Sequence, residues 1–164
     1  LNNHLPLGPP EGALYLLTGT LAAPARFLLQ HFVINVLNQM ERPVLFWSFL
    51  VDFANYKSST RKWMIIKGCN LQSFSRSKKL VFVDGSERIL VQYPAKPFNQ
   101  YGSDANSLSK YLLSCFTAQI EDIAKANSGE IPIVIIENID ILSAVYLLNS
   151  TDVLHLVDEI RLVH

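Results

Sequence analysis

Apolar and polar positions fall in blocks along this chain, and the blocks repeat the order strand, then helix. The first apolar run, residues 13–17 (ALYLL), is too short for a helix and is bounded by Thr18 and Gly19, so it predicts a buried strand. The chain then turns through residues 19–23. A long helix is predicted from Pro24, a residue suited to the first helical position, to about Glu41. Its polar residues His31, Asn35, Asn38 and Gln39 recur at i, i+4, i+7 and i+8, a narrow stripe, and apolar side chains fill most of the remaining circumference. A helix of that kind is buried on more than one side.

Residues 44–51 (VLFWSFLV) predict a second strand, rich in aromatic and β-branched side chains and ended by Asp52. A helix is expected over about 58–67, with Ser58 or Ser59 as its cap and Gly68 in the stop position. Residues 73–79 (SFSRSKK) read as a polar, basic connector. Residues 80–84 (LVFVD) predict a third strand, and their continuous apolar character favours a parallel one. The next stretch is ambiguous. Asp84-Gly85-Ser86-Glu87 followed by residues 88–93 fits a hairpin partner, and equally a loop leading outward. Residues 94–103 form a turn-rich linker.

The clearest helical pattern covers residues 104–127, where Leu108, Tyr111, Leu112, Cys115, Phe116, Ile120 and Ile123 keep i, i+3, i+4 spacing. Ser103 or Asp104 can cap it, and Asn127-Ser128-Gly129 stops it. Residues 131–137 (IPIVIIE) predict a fourth strand. Residues 151–162 predict a last helix with Val153, Leu154, Val157 and Ile160 on one side.

This order predicts an α/β fold: one domain over residues 1–164, with a loop-like lead over 1–12 and a doubly wound, mainly parallel sheet flanked by helices. Four strands are few for that class, so further strands of the parent protein are expected beyond residue 164.

Composition adds a partner to the picture. The chain has 164 residues, 49% of them hydrophobic, enough for a real core. Only 17% are charged, with 14 acids against 14 bases, and the mean hydropathy is +0.21. So lightly charged a surface suggests that part of it is covered by a partner. The neutral balance argues against a stand-alone nucleic-acid binder but leaves room for a share in a composite site. No apolar run of about 18 residues or more occurs, so no membrane contact is expected, and the first residues lack the pattern of a secretory signal. Cys69 and Cys115 lie far apart without C-x-x-C spacing and are expected to be free thiols of a reducing compartment.

Strand, glycine turn and helix in that order is the geometry of a phosphate-binding loop, where backbone N–H groups and a lysine cradle phosphates at a helix N-terminus. Aligned on G-x-x-x-x-G-K-[ST] from Gly19, the second glycine is replaced by Pro24, the lysine by Ala25 and the hydroxyl by Arg26. Pro24 has no N–H for a phosphate, Ala25 has no charge, and Arg26 cannot ligate magnesium through a hydroxyl. The stretch is thus either an ordinary strand–turn–helix unit or a phosphate loop that has lost its nucleotide chemistry. On both readings it should not hydrolyse ATP by itself.

Glu137, closing the fourth strand, is placed either as a Walker B acid or as a polar residue ending a buried strand. His155, Asp158 and Glu159 are helix neighbours that read as a solvated ion pair rather than a metal site, and His4, His31 and His164 supply no second ligand at useful spacing. Arg76, Lys78 and Lys79 could touch phosphate in a composite RNA surface or simply keep a connector soluble. No catalytic, cofactor-binding or metal-ligating residue is assigned.

Several blocks taken together resemble a known family, the RecA-like subunits of the Elongator complex. They are residues 49–56 (FLVDFANY), 67–71 (KGCNL), 79–85 (KLVFVDG) and 131–142 (IPIVIIENIDIL). The blocks come in the family's order and are spread over residues 49–142, as hydrophobic patterns rather than a catalytic signature. The degenerate phosphate loop fits, since this family is RecA-like without intact Walker motifs. The resemblance implies a RecA-like fold and a non-catalytic subunit, with no cofactor of its own, of a hetero-hexameric ring built with two paralogous RecA-like Elongator subunits. It further implies tRNA binding through the assembled ring, ATPase activity only in that assembly, and service to wobble-uridine modification by the larger Elongator complex. A cytoplasmic location follows, with the nucleus as a second one. Two other classes remain as alternatives: a degenerate ATPase subunit of the recombinase-paralogue kind, and an α/β adaptor with no RNA role.

Overall fold

The computed structural model describes residues 26–92, 105–145 and 148–162. Within them, β1 (Val44–Ser48), β2 (Leu80–Asp84) and β3 (Ile133–Glu137) form a parallel sheet in the order β2-β1-β3. The parallel reading of residues 80–84 is borne out. The strand expected at 13–17, the Gly19 turn and the linker at 94–103 lie outside the described residues.

The helices are α1 (Arg26–Asn35), α2 (Phe53–Lys67), α3 (Leu71–Arg76), α4 (Gly85–Gln92), α5 (Ala105–Ala126), α6 (Ile141–Ala144) and α7 (Ser150–Leu162). None of the described helices is long and apolar enough to cross a membrane.

The central strand β1 is buried at all of its positions, and its side chains alternate between the two faces of the sheet. Val44 and Phe46 pack with Val33, Ile34, Leu37, Tyr56 and Leu71, from α1 to α3. Leu45 and Trp47 pack with Leu112, Phe116 and Ile120 of α5 and with Leu156 and Ile160 of α7. Helices therefore cover both faces. The reason lies in the strand order. The path from β1 to β2 runs outward through α2 and α3, whereas the path from β2 to β3 returns past β1 through α4 and α5. Connections of one hand running in opposite directions must use opposite faces.

Trp47 anchors the α5 side. Its indole stacks on Phe116 with centroids 4.2 Å apart, and its Nε1–H donates to Gln119 Oε1 at 2.7 Å. On the other face Phe46 meets Tyr56 at 4.7 Å and Phe82 at 5.3 Å. Burying each such ring stabilises the fold by about 1.5–3 kcal/mol relative to leaving it exposed.

Several boundaries differ from the sequence expectation, each for a local reason. β1 stops at Ser48 because its Oγ accepts the N–H groups of Leu50 and Val51, which bends the chain out of the sheet. α2 starts at Phe53, more than a turn earlier than expected, because Asp52 rather than Ser58 or Ser59 caps it, its Oδ1 accepting from Asn55 N at 2.7 Å. Ser59 and Thr60 instead donate back to the Tyr56 carbonyl, as hydroxyls inside a helix do. Gly68 does stop α2, in the left-handed region at φ 62.

Residues 73–79 are only partly a connector. Asn70 caps the short α3 through bonds from Gln72 N and Ser73 N. Residues 85–92 are neither a hairpin strand nor a loop but the helix α4, with Asp84 Oδ1 accepting from Glu87 N at 2.9 Å. The long first helix is regular only to Asn35. It widens into a π-turn over Val36–Met40 and ends at Glu41, which is left-handed at φ 55. Its polar stripe serves α2 as well as solvent, since Asn38 Nδ2 donates to the Lys67 carbonyl.

Candidate functional site

The strand register brings Ser48, Asp84 and Glu137 side by side at the carboxyl edge of the sheet. In open parallel α/β sheets, ligands bind beyond that edge. Asp84 is committed to capping α4. Glu137 sits where the sequence placed it and is only 8% exposed.

Both carboxylate oxygens of Glu137 are engaged. Ser48 Oγ donates to Oε2 at 2.6 Å, and the same hydroxyl oxygen accepts from two backbone amides, so its proton is directed at the carboxylate. Ser48 is itself fully buried, which removes it as a nucleophile for an outside substrate. Oε1 faces Arg26 Nε at 3.2 Å. The N–H direction is not that of a hydrogen bond, so this contact is coulombic.

Tyr56 of α2 belongs to the same neighbourhood. Burial, and then the negative charge of Glu137, push its phenol well above the ordinary range, while Arg26 acts in the opposite sense. Among the described residues its hydroxyl has no hydrogen-bond partner.

Aligned as a phosphate loop, the chain has Arg26 at the hydroxyl position and Glu137 at the strand acid. The fold brings these two together. Gly19, Pro24 and Ala25 lie outside the described residues. In a working nucleotide site the hydroxyl and the acid share a magnesium ion. The residues here do not fit that ion: one carboxylate oxygen faces a guanidinium and the other holds a serine proton.

The remaining candidates are dispersed. His155 Nδ1 lies 3.9 Å from Glu159 Oε1 on an exposed face of α7, and Asp158 pairs with Arg161. No group of three or more His, Cys, Asp or Glu suited to a metal occurs among the described residues. Lys78 is held by Asp122 at 2.8 Å, Lys79 reaches the Glu41 carbonyl at 3.4 Å, and Arg76 ends α3. Cys69 is buried and Cys115 half-buried, both as free thiols, and burial raises the Cys69 thiol above its ordinary range.

Sequence reasoning missed Ser48 and the pairing role of Arg26. Ser48 carried a signal, because a lone hydroxyl inside VLFWSFLV, in a strand buried on both faces, must find a buried partner.

These features define a parallel α/β domain with helices on both faces and a carboxyl edge closed by an internal ion pair. No protein-family model and no solved structure matches the chain. Over 164 residues, 98% of this chain, it is similar, at 27% identity, to the Elongator complex protein 6 homolog of Schizosaccharomyces pombe. That likeness bears out the resemblance to the Elongator subunits read from the sequence. The chain spans 60% of the relative's length.

Proposed function

We infer that this chain is a non-catalytic, RecA-like subunit of the Elongator complex. It joins two paralogous RecA-like subunits in a hetero-hexameric ring, and through that ring it supports tRNA binding and wobble-uridine modification, in the cytoplasm and also in the nucleus. The observation that carries the reading is the likeness to an Elongator complex protein 6 homolog along 98% of the chain. The geometry supports its non-catalytic part, because both oxygens of the candidate strand acid Glu137 are engaged within the chain. Any ATPase activity then belongs to the assembly, with partner subunits supplying the site.

Affinity purification of the full-length protein from its native source, followed by identification of the bound proteins, tests the assignment. Elongator subunits in stoichiometric amounts are the expected result. A protein that purifies without them is an α/β adaptor of another assembly.

A further inference from the structure

A buried carboxylate at the end of a parallel strand needs a compensating cation. In a nucleotide-hydrolysing domain of this architecture a magnesium ion between loop hydroxyl and strand acid supplies it. In this chain Glu137 meets the guanidinium of Arg26 at 3.2 Å, and that arginine stands at the hydroxyl position of the aligned loop. Ser48 holds the other oxygen at 2.6 Å. Magnesium demands oxygen donors at about 2.0–2.1 Å in near-octahedral geometry, and a guanidinium against the same carboxylate repels it.

We propose that Arg26 is the resident cation of this edge. Its guanidinium takes the electrostatic place of a divalent metal and ties the start of α1 to the end of β3 whether or not nucleotide is present. The proposal rests on the non-catalytic part of the reading above and is independent of which complex the chain enters.

Burial explains why the tie persists. Glu137 is 8% exposed, so the acid cannot turn to water, and Nε and Nη2 of Arg26 are themselves buried. For such a pair, removing one partner costs far more than replacing both by apolar side chains. Were a divalent ion the compensating charge, this edge would respond to that ion and not to loss of Arg26; with a resident guanidinium the reverse holds.

The experiment is amide hydrogen exchange on the full-length protein, in the assembly with which it purifies, read at residues 26–35 and 133–137. R26M leaves Glu137 without a cation, and exchange at both segments should rise by about tenfold. R26D sets a second carboxylate against Glu137; exchange should rise further, and millimolar Mn²⁺ should restore protection, because facing carboxylates and a hydroxyl suit an oxygen-coordinated ion. The wild-type protein and R26M should ignore Mn²⁺. R26M/E137Q removes both charges while keeping an acceptor for the buried Ser48 hydroxyl and should recover protection without metal, which decides the matter even where R26D fails to fold. The proposal is overturned by R26M exchanging like the wild type, by folded R26D indifferent to Mn²⁺, by R26M/E137Q exchanging like R26M, or by wild-type protection that deepens with Mg²⁺ in a Glu137-dependent way. None of these results bears on Elongator membership, and purification without Elongator partners leaves all of them standing.

Discussion

Gly85 lies against the ring of Phe49 so closely that a Cβ on it would stand 2.5 Å from Phe49 Cε1 and 2.6 Å from Cδ1. Phe49 is buried in the α5 face of the core, and Ser86 Oγ donates to its carbonyl at 3.1 Å. The first turn of α4 is thereby pressed onto the chain leaving β1. Gly85→Ala should displace that ring or lift α4, destabilising the protein by about 1–3 kcal/mol, as overpacking does. Urea unfolding with an unchanged slope is the check; a midpoint equal to that of the wild type would mean that the ring moves aside freely.

Tyr56→Phe should act in the opposite direction. The hydroxyl is buried without a hydrogen-bond partner among the described residues, so its removal should stabilise the protein by about 1 kcal/mol. The pH dependence follows from the raised phenol, whose first cause is burial. The unfolded chain ionises this group near pH 10 and the folded one only well above that. Stability is therefore untouched by this ionisation below about pH 10 and falls as pH rises beyond it. Tyr56→Phe should flatten the alkaline fall in stability, measured as unfolding midpoints between neutral and strongly alkaline pH.

The bond from Trp47 to Gln119 ties β1 to α5 across one face of the sheet. Gln119→Leu leaves a fully buried indole N–H without its acceptor and should cost about 1–3 kcal/mol. Gln119→Glu, which keeps an acceptor at the same reach, should recover most of the loss. Equal losses for both would place the effect in packing rather than in the hydrogen bond, and thermal unfolding of the two variants separates these cases.

What the sequence disclosed followed from how each element is buried. The three strands were legible because a parallel strand covered on both faces is a continuous apolar run, as VLFWS, LVFVD and IVIIE are. The long α5 was legible because one of its faces meets the core and the other meets water. The caps misled. Asp84-Gly85 is a turn dipeptide on its own, and only Glu87, three residues after Asp84, marks it as the start of a helix. Asp52 was hidden in the same way, since it was read only as the end of the strand, although Asn55, three residues on, supplies the N–H that it accepts. The ion pair between Arg26 and Glu137 joins elements far apart in the chain, and no local periodicity encodes it. Chemistry at the two positions could be compared with a nucleotide site, but their meeting could not be read from either segment.

The structure redirects the question of RNA contact. Of the basic residues singled out in the connector, Lys78 is spent on Asp122 and Lys79 on the Glu41 carbonyl. On the opposite face of the sheet from α5 and α7, the helices α1, α2 and α3 carry Arg26, Lys57, Arg61, Lys62, Lys67 and Arg76 and no acid at all. Arg61, Lys62 and Lys67 are exposed on α2. If the assembled ring holds tRNA partly through this chain, these side chains are better placed to neutralise phosphates than Lys78. Replacing Arg61, Lys62 and Lys67 together by alanine should weaken tRNA binding by the assembly. It should also lower the slope of log affinity against log salt by about 1 for each lost phosphate contact. Replacing Lys78 and Lys79 should change neither by a comparable amount, because those cations are already neutralised or tethered within the chain. Filter binding or fluorescence anisotropy across a salt series, on the purified complex rather than the isolated chain, provides both numbers. An unchanged slope for the α2 triple variant would remove this face from the RNA surface, whereas a larger loss from Lys78 and Lys79 would return the contact to the connector.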